Sequence, residues 1–164
     1  MTEPALLLAL EEAYHETKRS FVRFLVESSE AYVEDDLDRR LYALYDGWSC
    51  ELERAQGLIG DILLEEGVHP GVSSFPIEFS QFNFLRPTYL LQQVLRKSGE
   101  EMERVAAIGR RLEAWPRARD LLEVLLTRQR QFRDRAEKIA AEHPPAAPAP
   151  AAPRRIKGTS ASRW

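Results

Sequence analysis

The stretch Glu51-Leu-Glu-Arg54-Ala-Gln-Gly-Leu-Ile-Gly-Asp-Ile-Leu-Leu-Glu-Glu-Gly67 decides how the rest of the chain is read. Apolar residues return in it at three- and four-residue steps, the spacing at which side chains stack on one face of an α-helix. Gly67 follows the last of them and supplies the left-handed residue that ends a helix. Carried toward the N-terminus, the period runs through Leu41, Leu44, Trp48, Ala55, Leu58 and Ile62 and predicts one amphipathic helix over 36–66.

Three more segments carry the same period. The first runs from Pro4 to Val33 with Thr2 as N-cap, its stripe on Leu7, Leu10, Tyr14, Phe21 and Phe24, and it ends at the acidic Glu34-Asp35-Asp36 turn. The third runs from Pro87 to Leu112 through Leu91, Val94, Val105 and Ile108. Pro116 separates it from a fourth, Arg117 to Glu142, with Leu121, Leu125, Phe132 and Ile139 inward. No segment alternates like a strand for long, so the fold class is all-α, a four-helix bundle. Short joins place neighbours antiparallel, whereas the long join from Gly67 to Arg86 allows the second and third helices to run parallel through one crossover. That join holds Phe75, Pro76, Ile77, Phe79, Phe82 and Phe84. Such aromatics cover the bundle wall or face a second subunit.

At 164 residues, 44% hydrophobic and 30% charged, the chain is sized for one domain, expected over residues 1–143. One cysteine, Cys50, excludes an intramolecular disulfide framework. No basic segment precedes the Leu6–Leu10 run, which argues against a secretory signal, and no apolar run reaches the roughly 20 residues that span a bilayer. The expected compartment is the cytoplasm. Net charge is -3, but residues 144–164 contain no acid and four bases, Arg154, Arg155, Lys157 and Arg163. The Pro/Ala run 144–153 breaks helical hydrogen bonding and reads as an extended, solvated tether.

Each stripe, followed to the middle of its helix, meets a polar residue: Thr17, Glu51, Glu101 and Arg128, with Arg54 one turn after Glu51. Aligned helices would bring these to one level of the core. Two carboxylates and two guanidinium groups there would form a site or the remains of one.

The run from Glu51 to Gly67 resembles the second helix of bacterioferritins and related ferritin-like proteins, which carry Glu-x-x-His-Ala, spaced apolar residues and a closing Gly. The resemblance implies a ferritin-like bundle over about 140 residues and a di-iron site made of one Glu from each of two helices and a Glu-x-x-His from each of the others. By that register Glu51 matches a ligand carboxylate, but Arg54 stands at the histidine position. In the fourth helix Arg128 stands for the carboxylate and Gln131 for the histidine. Glu101, or Glu100 or Glu103, matches the third-helix carboxylate; Thr17 falls at the first-helix position, with Glu16 as the alternative. A guanidinium has no lone pair for a metal. The expectation is therefore a bundle without a di-iron centre, cofactor or catalytic residue, in which Arg54 and Arg128 pair with Glu51 and Glu101 in a buried network.

Weaker candidates are Glu12-Ala-Tyr-His15, whose histidine should face solvent, His69 and His143 in a loop and at a helix end, and Cys50, read as a packed thiol beside the stripe. The tail, Arg154-Arg155-Ile-Lys157-Gly-Thr-Ser-Ala-Ser-Arg163-Trp164, has the layout of a docking peptide on a spacer, similar to the tails of ferritin-like cargo of encapsulin shells without their apolar-Gly-Ser-Leu core. The functional expectation is a non-catalytic protein-interaction or structural module that self-associates and binds a protein partner through its surface or tail. A metal-binding oxidoreductase or iron-handling protein using Glu16, Glu51, Glu101 and Glu53 is the second reading. A weak nucleic-acid or anionic-surface binder acting through the basic tail is the third, and nucleic acid is the less expected partner.

Overall fold

The computed structural model describes residues 2–144; the tail residues Arg154, Arg155, Lys157, Arg163 and Trp164 lie outside them. Every regular element among the described residues is helical: α1 (Pro4–Lys18), α2 (Phe21–Glu27), α3 (Asp36–Glu65), a 3-10 helix (Ile77–Phe82), α4 (Pro87–Arg111) and α5 (Pro116–Glu142). None is long and apolar enough to cross a membrane.

Cross-helix contacts fix the directions. Arg104 and Arg111 of α4 pair with Glu16 and Glu12 of α1, so these helices run antiparallel. The Tyr14 ring lies over Gly60, and Arg23 of α2 reaches Gln56, which sets α1 and α2 antiparallel to α3. A Cβ on Gly60 would stand 3.2 Å from that ring, so glycine permits the close crossing. Phe132 lies against Gly47 while Arg117 pairs with Glu65, making α5 antiparallel to α3. Arg133 lies beside Gly99, and α5 packs most extensively on α4. It follows that α3 and α4 run the same way, and the Tyr45 hydroxyl donates to the Pro87 carbonyl at 3.1 Å to tie their N-terminal ends.

Gly67 ends α3 as the sequence predicts. Its φ is +78°, Gly67 N–H donates to Leu64 and Val68 N–H donates to Leu63, the paired bonds that satisfy terminal carbonyls. The start of α3 is capped by Asp35, whose carboxylate accepts Asp38 N–H at 2.9 Å. Inside the crossover, Phe75, Phe79 and Phe82 pack edge-on against Phe21 and Phe24, with Lys97 Nζ over three of the rings. Ile77 and Phe84 instead remain exposed.

Two expectations are corrected here. The first predicted helix does not run to Val33: it breaks at Arg19–Ser20, resumes as α2 and ends at Glu27, and its N-cap is Glu3 rather than Thr2. Ser20 adopts extended backbone, and the Phe21 N–H freed at the break donates to Glu101 Oε1 at 2.8 Å. A residue eighty positions away thus satisfies the new helix start. The second correction concerns rotation. The buried line of α3 is Leu41, Tyr45, Trp48, Leu52, Ala55, Ile59, Ile62 and Leu63, and that of α5 is Ala118, Leu122, Leu125, Leu126, Gln129 and Ala136. The expected Leu44 and Leu58, like Leu121 and Phe132, flank these lines. Burying each large side chain of the two lines contributes about 1.5–3 kcal/mol.

Candidate functional site

The rotation of α3 and α5 redistributes the expected central site. Glu101 is buried, and so is Thr17, whose hydroxyl donates to Ala13 C=O. Glu51 is only partly covered, its carboxylate is 4.0 Å from Arg54, and Arg54 is 69% exposed. Arg128 and Gln131 are exposed as well. Glu51, Arg54 and Arg128 line a shallow surface groove between α3 and α5 with Leu58, Leu121 and Val124. The four-residue buried network is therefore not formed. Positions 51, 54 and 58 sit on the flank of α3, where long side chains reach water at little cost.

One buried charge comes from a residue that the sequence reading passed over. Arg23, 2% exposed, donates through Nε to Glu27 at 2.6 Å and through Nη1 to Gln56 Oε1. Its signal was visible: a lone cation inside Phe21-Val-Arg-Phe-Leu-Val26 cannot avoid burial in a helix of seven residues. Arg23→Ala should cost about 2 kcal/mol by stranding the buried Gln56. Arg128→Ala should change stability by less than about 0.5 kcal/mol. Urea melts of the two variants test this contrast, and equal losses would contradict it.

Glu101 is held among Phe21, Ser20, Arg104 and Glu16. Burial pushes its carboxyl up, the Phe21 N–H and Arg104 pull it back, and the result stands at about 7. Among the described residues no three of His, Cys, Asp and Glu gather closely enough to hold a metal ion. His15 lies 3.8 Å from Glu11 on α1. Cys50 is exposed rather than packed, because it points from the outer flank of α3.

A second charge cluster joins the crossover to α3. Asp38, with no exposed surface, accepts from Arg86 Nε at 2.7 Å, Thr88 N–H at 3.1 Å, Glu34 N–H at 3.0 Å and the Thr88 hydroxyl. Burial alone would raise this carboxyl, but the four donors outweigh it and hold the group at about 2. Arg86 also pairs with Glu34 at 2.8 Å and Asp35 at 2.6 Å.

This clamp supports an unusual surface. Phe84 N–H donates to Glu30 C=O at 3.0 Å and Tyr32 N–H donates to Leu85 C=O at 3.3 Å, which holds the segment after α2 alongside the end of the crossover. The paired segments present Tyr32 (58% exposed), Val33, Phe84 (68%) and Leu85, with Tyr89 (70%) on the first turn of α4 under the Arg86 guanidinium. Phe84 has φ +60°, a conformation that costs a non-glycine residue about 1–2 kcal/mol. Exposed carboxylates at Glu30, Glu34, Asp35 and Asp36 border the surface, with Arg86 beside Glu34 and Asp35 and Arg39 beside Asp36. A strained backbone that holds an aromatic ring in water marks this end as the candidate functional site.

No known protein family, no curated protein and no solved structure matches the chain.

Proposed function

We propose that this chain is a non-catalytic helical interaction module: a ferritin-like four-helix bundle, with α1 and α2 forming one broken helix and a single crossover from α3 to α4, that carries no di-iron centre. The parallel course of α3 and α4 supports the bundle topology. The buried Arg23, hydrogen-bonded to Gln56 between α2 and α3, supports an interior closed by protein groups. The single observation that carries the interaction reading is the exposed aromatic Phe84, held at positive φ between Tyr32 and Tyr89 on a carboxylate-bordered end. Such a surface suits a short peptide carrying cations and an aromatic or branched apolar residue, since the rings offer faces for cations and area to cover.

Selection of a displayed peptide library on the immobilised chain tests this reading. Enriched sequences should combine Arg or Lys with an apolar anchor and should lose binding to a Phe84→Gly, Tyr89→Ala variant. Enrichment that ignores those substitutions would overturn the assignment of the surface. Elemental analysis of iron, manganese and zinc after growth in metal-supplemented medium and exhaustive dialysis addresses the chemistry. Near-zero content is expected, whereas one or two metals per chain, on the order of a single-metal or paired site, would put a metal-binding oxidoreductase first.

A further inference from the structure

We infer that the apolar end formed by Tyr32, Phe84, Leu85 and Tyr89 is the docking site of the chain's own residues 154–164, in cis. The inference rests on the interaction reading above and names the occupant of that site.

Three observations favour this occupant. The first is position. The last turns of α5 lie beside the first turns of α3, where Arg135, Lys138, Ile139 and Glu142 share a surface groove with Arg40, Ala43 and Leu44. The described chain thus stops at the same end of the molecule as the apolar surface, because α3 and α4 both begin there. The second is reach. Residues 145–153 are prolines and alanines, and in an extended proline-rich conformation they cover roughly 28 Å at about 3.1 Å per residue. Packed helices lie about 8–10 Å apart, so the spacer crosses from α5 to the starts of α3 and α4 with length to spare.

The third is chemical complementarity. Residues 154–164 hold Arg154, Arg155, Lys157 and Arg163, no acid, and the apolar side chains of Ile156 and Trp164. The surface offers the inverse, with three exposed aromatic rings and bordering carboxylates at Glu30, Glu34, Asp35 and Asp36. Arg86, shared among Glu34, Asp35 and Asp38, and Arg39, paired with Asp36, satisfy part of that charge, and two cations against Glu30, Glu34, Asp35, Asp36 and Asp38 leave an acidic excess. The groove beside the last turns of α5 carries Arg40, Arg135 and Lys138 against one acid, Glu142, a net positive charge that repels the tail's bases and favours the carboxylates over this groove. A tail docked in this way covers the surface that an outside peptide would use, so its release and rebinding set the module's apparent affinity.

The test uses a fluorescein-labelled peptide of residues 154–164 and two proteins, the full chain and a chain ending at Pro153. The buried core extends from Ala9 to Ala136, so the shorter chain keeps all of it, and matching thermal melts check that it does. The peptide should bind the shorter chain saturably, weaken as salt is raised from 50 to about 500 mM, and lose at least about tenfold in affinity with Phe84→Gly, Tyr89→Ala. Glycine is the residue best suited to the φ of Phe84, so this variant keeps its fold. The full chain should bind the peptide at least about tenfold more weakly than the shorter one, because its own tail competes at an effective concentration in the millimolar range.

Equal affinity for the two proteins, or a mass doubled by exchange of tails between copies, would overturn docking in cis and leave the interaction surface standing. Failure of the peptide to bind the shorter chain would overturn the tail as occupant. The library selection then decides separately whether the surface binds anything else.

Discussion

Asp38→Ala is expected to lower the unfolding free energy by about 4 kcal/mol at pH 7. The carboxylate is fully buried and receives four hydrogen bonds, one from a guanidinium that it helps to hold against the start of α4. Its removal strands Thr88 and Glu34 donors and leaves Arg86 facing a cavity, with only the half-exposed Glu34 and Asp35 as partners. The sign of the pH dependence follows from the folded-state value of about 2, below the ordinary 3.8. Asp38 therefore contributes stability that is present above the ordinary value and is lost as pH falls from about 4 toward 2. Urea titrations of the parent and variant should show a wide gap at pH 7 that narrows across that acid window. A gap that stays constant to pH 2 would mean that the loss is packing alone. Asp38→Asn separates the contributions, since it keeps an acceptor for Thr88 while removing the charge that binds Arg86.

The consequences extend to the proposed docking end. The same guanidinium that binds Asp38 lies over the Tyr89 ring at 5.6 Å, and the residue before the preceding Leu85 is the strained Phe84. Loosening the clamp should therefore relax the pairing of Glu30 and Tyr32 with Phe84 and Leu85 before it unfolds the helices. Hydrogen exchange at those two amides is expected to rise in Asp38→Asn more than at Leu52 or Leu122 in the core.

How much of this was legible in sequence depends on the kind of information each element uses. The starts at Asp36 and Pro87, and that of α5 within one residue of the expected Arg117, follow from local signals: an acidic cap, prolines at first turns and a glycine stop at Gly67. The break at Ser20 does not, because its stabilising partner is Glu101, far along the chain, and no short-range pattern announces it. The central site failed for a geometric reason. Leu44, Glu51 and Leu58 each stand one residue before Tyr45, Leu52 and Ile59, and at 3.6 residues per turn one residue is a rotation of about 100°. The line that packs is Tyr45, Trp48, Leu52, Ala55 and Ile59. A phase error of one flank was enough to move Glu51 and Arg54 from the presumed interior to the surface. Asp38, which falls inside the second predicted helix and was not singled out there, owes its burial to Arg86 and Thr88 arriving through the crossover, which again is tertiary information.

Glu101 provides the opposite pH signature and a sharper check on the interior. Its carboxyl stands near 7 instead of its ordinary 4.5, chiefly because burial disfavours the charge. At pH below about 4.5 it is neutral in both folded and unfolded chains, and its full contribution is present. Between 4.5 and 7 the unfolded chain releases the proton while the folded chain retains it, so stability falls as pH rises. Above about 7 the folded carboxyl ionises too, and the accumulated loss levels off at about 3 kcal/mol, at 1.36 kcal/mol for each unit of separation. Glu101→Gln keeps an oxygen acceptor for the Phe21 N–H that starts α2, yet it has no charge to desolvate. It is expected to match the parent near pH 4.5 and to exceed it by about 2–3 kcal/mol at pH 8, with the alkaline decline flattened. Guanidinium unfolding across that range reads both quantities. A variant that is weaker than the parent at pH 8 would show that the ionised carboxylate is needed there, compensated by Arg104, and would make the interior at Glu101 a working charged site rather than a helix cap.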